Sequence, residues 1–410
     1  MKIGEFSEHF NLPIETVRYY INKGLLIPHV KNARYTFALK DIEDMELIIR
    51  LKTFRFSLHD IHRIISLKRL SNLDNSDELN DYLSIMNSQK NILETEKEKF
   101  ESALSLLGEE IYQISSRKNT GSGKNSGVAL EFLNYLSCPV CKNSLSLENC
   151  SIENQEIYSG ILKCKCGYHA LIQDGILIGQ TVDSERYDGA DTDRNCYRMM
   201  SPELISNVQK AYIDISEKLK DIPTDGKVIL EDFVNNYCFC YNNLSDLNPN
   251  ALYIISDQYM EVVRLYKDLI DKLSLPHRIL FISASSHLLP LKEQCVHVYI
   301  DFDSANEYAI FNNGYASDAV KKYFSAAAII LGAFFSFPKN CASVRELHLQ
   351  FPLACDDCFD WNRFQKHFNL IQKEMVYKNQ VGIVTNSGVG ESFSYHQNDE
   401  PLYLNTYMCK

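Results

Sequence analysis

The amino-acid sequence predicts a multidomain chain: a small winged, all-α head, one long helix, a compact cysteine-rich unit, and a C-terminal α/β body. Three observations predict it. Apolar residues recur at helical spacing in short pieces over residues 1–76, and then at a seven-residue spacing over residues 77–115. Two close pairs of cysteines fall within residues 129–180. From residue 181 to 410, apolar strand-like runs alternate with amphipathic helices, the pattern of a sheet layered with helices. Between the long helix and the cysteines, residues 116–128 are polar and rich in glycine and serine, which predicts a flexible linker.

Composition narrows the function classes. A chain of 410 residues that is 45% hydrophobic and 23% charged excludes wholesale disorder. The longest apolar run, 324–337, contains Ser325 and Gly332 and is followed by Pro338, so it reads as a buried strand and no membrane partner is expected. The first ten residues hold no apolar signal core, and thirteen cysteines without one predict a reducing, cytoplasmic setting. The net charge is −11, yet residues 1–70 carry twelve Lys and Arg against eight Asp and Glu. A basic head on an acidic body places any polyanion partner at the head.

In the head, Ile3, Phe6 and Phe10 form one apolar face, Asn11-Leu12-Pro13 breaks the chain, and Ile14, Val17 and Ile21 form a second face. Gly24 ends that second helix. Two short helices joined by a tight turn, with Thr16, Arg18 and Tyr19 outward on the second, suit a major groove. Arg18 can bridge phosphate and base edge, Tyr19 or Tyr20 can donate to a phosphate, and Lys31, Arg34 and Tyr35 lie on a strand-loop-strand that can hold the flanking backbone. The residues Ile3-Gly4-Glu5, Thr16-Val17-Arg18-Tyr19-Tyr20, Gly24-Leu25-Leu26, Asp41-Ile42 and Phe56-Ser57-Leu58 give the head a close resemblance to the MerR family of bacterial transcription regulators. Two positions depart from that pattern. The wing reads Ala33-Arg34-Tyr35 where the family has Gly-Tyr-Arg, and Arg55 stands where the family commonly has glycine.

In the long helix, Leu79, Met86, Leu93, Phe100, Leu107 and Ile114 repeat every seven residues. Leu83, Lys90, Lys97, Leu104 and Ile111 follow at an offset of four. This is a two-helix seam with two lysines in its middle. The family resemblance implies that the helix pairs antiparallel with its mate in a homodimer, which reads two-fold-related promoter DNA. It also implies regulation at promoters with overlong spacing, bent and untwisted for RNA polymerase.

Cys138-Pro-Val-Cys141 and Cys164-Lys-Cys166, separated by 22 residues, form a four-thiolate pattern suited to structural zinc. Because the second pair is spaced C-x-C, Cys150 and His169 stand as alternatives to Cys164 for the fourth ligand. Leu136 to Leu145, Cys166-Gly167 and Asp174-Gly175-Ile176 resemble the small zinc ribbons placed before class I methyltransferase domains.

The body's strands and helices, read from Gly226 onward, resemble a class I S-adenosylmethionine-dependent methyltransferase in their order. The resemblance implies a cofactor site at Glu231 and Asp257, the latter at the ribose hydroxyls. The turn after the first strand, Glu231 to Tyr241, contains no glycine but Phe233, Tyr237, Phe239 and Tyr241. A glycine-rich turn lets backbone approach the cofactor, and these side chains argue against S-adenosylmethionine binding and predict a narrowed cleft. A paired Asn/Asp-Pro-Pro-aromatic motif is missing, and no catalytic residue is assigned. Cys355 and Cys358, Cys238 and Cys240, and His277, His287 and His297 read as structural. The expected protein is a dimeric DNA-binding transcription regulator whose methyltransferase-like body serves ligand sensing or assembly, with a small-molecule effector as a partner. The alternative is an S-adenosylmethionine-dependent methyltransferase with a DNA-binding head.

Overall fold

The computed structural model describes residues 1–32, 34–70, 76–117, 125–181, 189–194, 198–388, 393–397 and 399–410. Ala33 of the wing and residues 118–124 of the expected linker lie outside the described residues. The chain divides into two compact units, residues 1–120 and 121–410.

In the first unit, α1 (Ile3–His9) and α2 (Ile14–Asn22) meet across Asn11, whose φ is +50°, with Pro13 as the N-cap of α2. The wing is an antiparallel pair, β1 (His29–Lys31) and β2 (Arg34–Thr36), in which Lys31 faces Arg34. α3 (Leu39–Thr53) and α4 (Leu58–Leu70) complete the head around Phe6, Val17, Phe37, Ile48 and Ile61. Arg69 ties these parts together. Its guanidinium is 2.7 Å from Asp44 of α3 and donates to the carbonyls of Gly24 and Leu25 at the end of α2. Arg55 sits between α3 and α4 at φ +61°, so the backbone keeps the left-handed conformation of a glycine although the side chain is arginine. That side chain reaches Glu96 of the long helix at 3.0 Å.

The long helix, α5 (Ser76–Arg117), has 42 residues and extends about 63 Å at 1.5 Å per residue. Tyr82, Ile85 and Met86 pack on the head's own core. Farther along, Phe100, Leu104, Leu107, Ile111 and Ile114 are 52–68% exposed, so this chain alone does not bury them.

The second unit is built on one twelve-stranded sheet among the described residues. β3 (Val128–Ala129), a 3-10 turn (Leu130–Tyr135), and β4 (Ser146–Glu153), β5 (Glu156–Lys163), β6 (His169–Gln173) and β7 (Ile176–Ile178) form the cysteine-rich end. Then come α6 (Pro202–Lys220), β8 (Val228–Asp232), α7 (Phe239–Asn243), β9 (Leu252–Asp257), α8 (Met260–Leu273), β10 (Arg278–Ser283) and β11 (Val296–Phe302). The chain ends through α9 (Ser304–Phe311), α10 (Ala316–Val320), β12 (Phe324–Ser336), α11 (Ala342–Gln350), α12 (Trp361–Leu370), β13 (Met375–Val384) and β14 (Leu402–Cys409).

The strand order is β13-β14-β12-β11-β8-β9-β10-β7-β6-β5-β3, with β4 also on β5. β12, β11, β8, β9 and β10 are parallel neighbours, and β14 is antiparallel between β12 and β13. From β8 the chain winds one way to β9 and β10, and β11 and β12 lie on the other side. The reversal makes the carboxyl ends of β8 and β11 the switch point where open α/β sheets bind ligands. This is the Rossmann-like, methyltransferase-type arrangement expected from the sequence. The run 324–337 is indeed a strand, β12. α12 stops at Leu370, because Gln372 adopts φ +58° and Glu374 pairs with Lys410 through two 2.9 Å backbone hydrogen bonds.

The cysteine-rich strands share this sheet. β7 pairs parallel with β10, placing Phe281 opposite Ile176 and Ser283 opposite Ile178. Where the chain enters the unit, Ser126 donates to Asp271 through both its N–H and its hydroxyl, and the buried Lys267 bridges Asp271 and Asn125.

Candidate functional site

Three regions carry the expected chemistry. In the head, α2 holds Arg18 and Tyr19 exposed and Thr16 half-buried, while Lys31 and Arg34 are exposed on the wing. Lys23 lies 5.7 Å from the Tyr19 ring. Tyr35 is half-buried against the head core. Tyr20, expected to reach DNA, instead belongs to the core at 4% exposure. The reason is helical spacing: Tyr20 lies three residues after Val17 and shares its inward face.

The second region is the cysteine cluster. The sulfurs of Cys138, Cys141, Cys164 and Cys166 all lie within 4.8 Å of one another. Cys138 is 3.5 Å from Cys166, and Cys141 is 3.3 Å from Cys164. A tetrahedral ion with metal–sulfur bonds of about 2.3 Å has sulfur–sulfur edges of about 3.8 Å, which fits this group. Cys150 and His169 are exposed and stand outside it. Turns shape both knuckles. Lys142 takes φ +65° and donates to the Cys138 carbonyl, while Gly167 takes φ +97° and donates to the Cys164 carbonyl. The backbone N–H of Asn143, and then the Cys164 thiol, pull the Cys141 thiol down to about 7. Burial pushes the Cys138 thiol up, and although the backbone N–H of Cys166 favours the Cys164 thiolate, the Cys141 side chain and burial push that thiol up to about 12. The first knuckle is docked on the body. The N–H of Ser137 donates to the Pro290 carbonyl, its hydroxyl to the Leu291 carbonyl, and Lys142 pairs with Glu293 at 3.1 Å.

The third region is the turn after β8. Phe233 directly follows the strand and has φ +60°. A bulky residue in the left-handed region is a true outlier, and the conformation is the one glycine supplies freely. Its ring is 5% exposed and lies edge-on to Tyr308 at 5.3 Å. Tyr237 and Phe239 are buried, 5.4 Å from Phe302 and 5.8 Å from Tyr212 respectively, and Tyr241 packs 5.8 Å from Tyr266.

Both acids expected at the cofactor are engaged by this turn. Glu231 accepts from the N–H groups of Phe239 at 2.5 Å and Cys240 at 2.8 Å, capping α7. Burial pushes its carboxyl up to about 7 against those donors. Asp257 accepts from the N–H of Tyr259 at 2.9 Å, and the N–H groups of Asn235 and Val234 in the turn also favour its charge. Burial outweighs them and raises it to about 7. The segment 189–194 packs against this turn. Asn235 donates its amide to the Gly189 carbonyl at 3.0 Å and accepts from the Asp191 N–H at 2.9 Å, while the Tyr259 hydroxyl accepts from the Gly189 N–H at 3.1 Å. The Arg194 guanidinium lies 5.0 Å from the Tyr266 ring and donates to its hydroxyl. Residues 189–194 thus sit on the turn and on α8. No short-range signal marked Asn235 for that contact, because its partner is more than forty residues away.

Comparison with known proteins follows these divisions. Residues 1–68 match the family described as MerR HTH family regulatory protein, so the head is a MerR-type DNA-binding domain. No curated protein shows significant sequence similarity to the chain. Among solved structures, the chain is similar to HiNmlR, a MerR family regulator lacking the sensor domain and bound to promoter DNA. That likeness has 23% identity and a TM-score of 0.24, over 30% of this chain and 97% of the other. It is also similar to a SAM-dependent methyltransferase from Aquifex aeolicus, at 10% identity and TM-score 0.35, over 54% of this chain and 99% of that one. A SAM-dependent methyltransferase from Geobacter sulfurreducens in complex with S-adenosyl-L-homocysteine gives 8% identity and TM-score 0.36, over 55% of this chain and 99% of that one. The body's fold is defined by its strand order, not by these distant likenesses. Among the described residues, no helix is long and apolar enough to cross a membrane.

Proposed function

We propose that the chain is a cytoplasmic, homodimeric transcription regulator of MerR type, whose methyltransferase-like body no longer binds S-adenosylmethionine and instead senses a ligand or supports assembly. One observation carries the reading: the turn after β8 is closed on itself. Phe233 occupies the left-handed position, and Glu231 and Asp257 both accept from the turn's own N–H groups. A bound cofactor would have to displace those donors and a buried ring, and each buried acceptor left without a donor costs about 1–3 kcal/mol.

At the promoter, Thr16, Arg18 and Tyr19 enter the groove, and Lys31, Arg34 and Tyr35 of the wing support the flanking backbone. The exposed stripe from Phe100 to Ile114 pairs with a second copy, presenting two heads to a two-fold site where RNA polymerase binds. Zinc held by Cys138, Cys141, Cys164 and Cys166 supplies folding energy at the cysteine-rich end of the sheet.

Calorimetric titration of the full chain with S-adenosylmethionine tests the reading, together with assay of labelled methyl transfer to DNA, RNA and protein. We expect neither heat of binding nor transfer, while promoter DNA is retained by the same preparation. Micromolar cofactor affinity or measurable transfer would establish the methyltransferase alternative instead.

A further inference from the structure

A cleft lies between the carboxyl end of β12, the start of α12, and the edge pair β13–β14. The cleft there has a volume of about 450 Å³, within the range of small-molecule sites. Its walls include Phe337, Trp361 and Tyr403, and Lys378 and Gln380 complete it. Trp361 is the single tryptophan of the chain.

Two polar groups beside the cleft are engaged: Asn405, on this same wall, donates to Ser336 at 3.1 Å, and Asp360, next to Trp361, caps α12 through the N–H groups of Asn362 and Arg363. Among the described residues, the side chains of Trp361, Tyr403, Gln380 and Lys378 have no protein hydrogen-bond or ion-pair partner; Lys378 and Gln380 are exposed and Trp361 and Tyr403 half-buried, so their polar ends face solvent at the cleft. Three of these four can donate as well as pack, and the fourth is a cation on an acidic protein of net charge −11. The β13 strand also shifts register between Gln380 and Gly382, a bulge of the kind that re-aims side chains beside binding sites. A Cβ at Gly382, beside that irregularity, would collide with the Asn207 side chain of α6.

Aromatic walls with uncommitted donors and one cation select a flat ring that carries an anionic acceptor. We propose that this cleft binds a planar aromatic carboxylate, its ring against Trp361 and its carboxylate at Lys378, and that it is the effector site of the body. The effector role rests on the regulator reading above; the binding does not.

The probe is quinoline-2-carboxylate, compared with quinoline-2-carboxamide, titrated calorimetrically into the full chain. Location is read from the indole N–H resonance of the nitrogen-15-labelled protein, which is a single signal because the chain has one tryptophan. The carboxylate should bind saturably and shift that resonance, and the amide should bind about tenfold more weakly. Lys378→Gln should remove the difference between the two probes, and Tyr403→Phe should weaken both about threefold. Promoter affinity without probe should be unchanged in each variant, which shows that folding and dimerisation are intact. No saturable binding at millimolar probe, or binding that leaves the indole resonance in place, overturns the inference. Equal binding of acid and amide with no effect of Lys378→Gln overturns it too. Failure of promoter binding in the unaltered chain would sink the regulator reading while leaving the cleft's occupancy to the probe data.

Discussion

Replacing Phe233 tests whether the cofactor turn has kept a glycine's backbone under an aromatic side chain. The residue has φ +60° and a ring that is 5% exposed. Phe233→Ala removes the buried ring, a change that costs about 3–5 kcal/mol in a packed core, and leaves a Cβ in the left-handed region. Phe233→Gly removes the same ring and also relieves the left-handed strain, roughly 1–2 kcal/mol. Against that relief stands the extra chain entropy of glycine, about 0.5–1 kcal/mol. The balance puts the glycine variant about 1 kcal/mol above the alanine variant, the reverse of the order found at ordinary backbone positions. Tyr237 is buried in the same turn without a positive φ, so Tyr237→Gly should be less stable than Tyr237→Ala.

Urea unfolding followed by Trp361 emission reports the body alone, because no other tryptophan contributes. If Phe233→Ala proves as stable as Phe233→Gly, the turn is not held in the left-handed conformation and the inherited-geometry argument fails. The glycine variant alone should still bind no S-adenosylmethionine, since Glu231 and Asp257 remain engaged by backbone donors.

Four further outcomes follow from the structure. Arg18→Ala should weaken promoter binding and lower its salt slope by about one, measured as affinity against ionic strength, and an unchanged slope would remove Arg18 from the phosphate contacts. Phe100→Glu should turn the dimer into monomers in sedimentation, because a charge on the exposed stripe has no partner there; a persistent dimer would place the interface outside the stripe. Cys138→Ser or Cys166→Ser should abolish stoichiometric zinc and loosen residues 290–293 along with the knuckle, while Cys150→Ser and His169→Ala should retain the metal. Glu231, at an ordinary value of 4.5, is held at about 7 in the fold, so the folded protein keeps its proton where the unfolded chain loses it. Its contribution is therefore full below pH 4.5 and is lost as pH rises through 7. Glu231→Gln should flatten that fall in urea midpoint between these limits, and an unaltered slope would show that Glu231 does not titrate there.

Local pattern made most of the architecture legible. The helical spacing of Ile3, Phe6 and Phe10, the heptads after Leu79, and the alternation from Gly226 onward each depend on residues close in sequence, and each became the expected kind of element. What stayed hidden depends on distant partners. The parallel pairing of β7 with β10 joins residues more than a hundred positions apart, and it makes the cysteine-rich end a continuation of the body's sheet. Tyr20 was misplaced for a different reason: the sequence motif names it with Arg18 and Tyr19, and only the helix's inward face separates them.

Arg55 and Phe233 are the most instructive pair. Arg55 stands where the resembling family commonly has glycine, and Phe233 lies in a turn expected to be glycine-rich; both residues have a left-handed backbone. At Arg55 the added side chain gained a partner in Glu96, and the position remains a turn between two helices. At Phe233 it gained burial beside Tyr308, in the place where a glycine would have left room for a ligand. The same backbone event therefore has opposite functional weight. A turn between helices asks only for the conformation, which arginine can bear at some strain. A phosphate- or nucleoside-binding turn asks for the conformation and for the empty space beside it, and a phenylalanine supplies the first while consuming the second. Beside that ring, Glu231 and Asp257 accept hydrogen bonds from amides of the turn and of Tyr259.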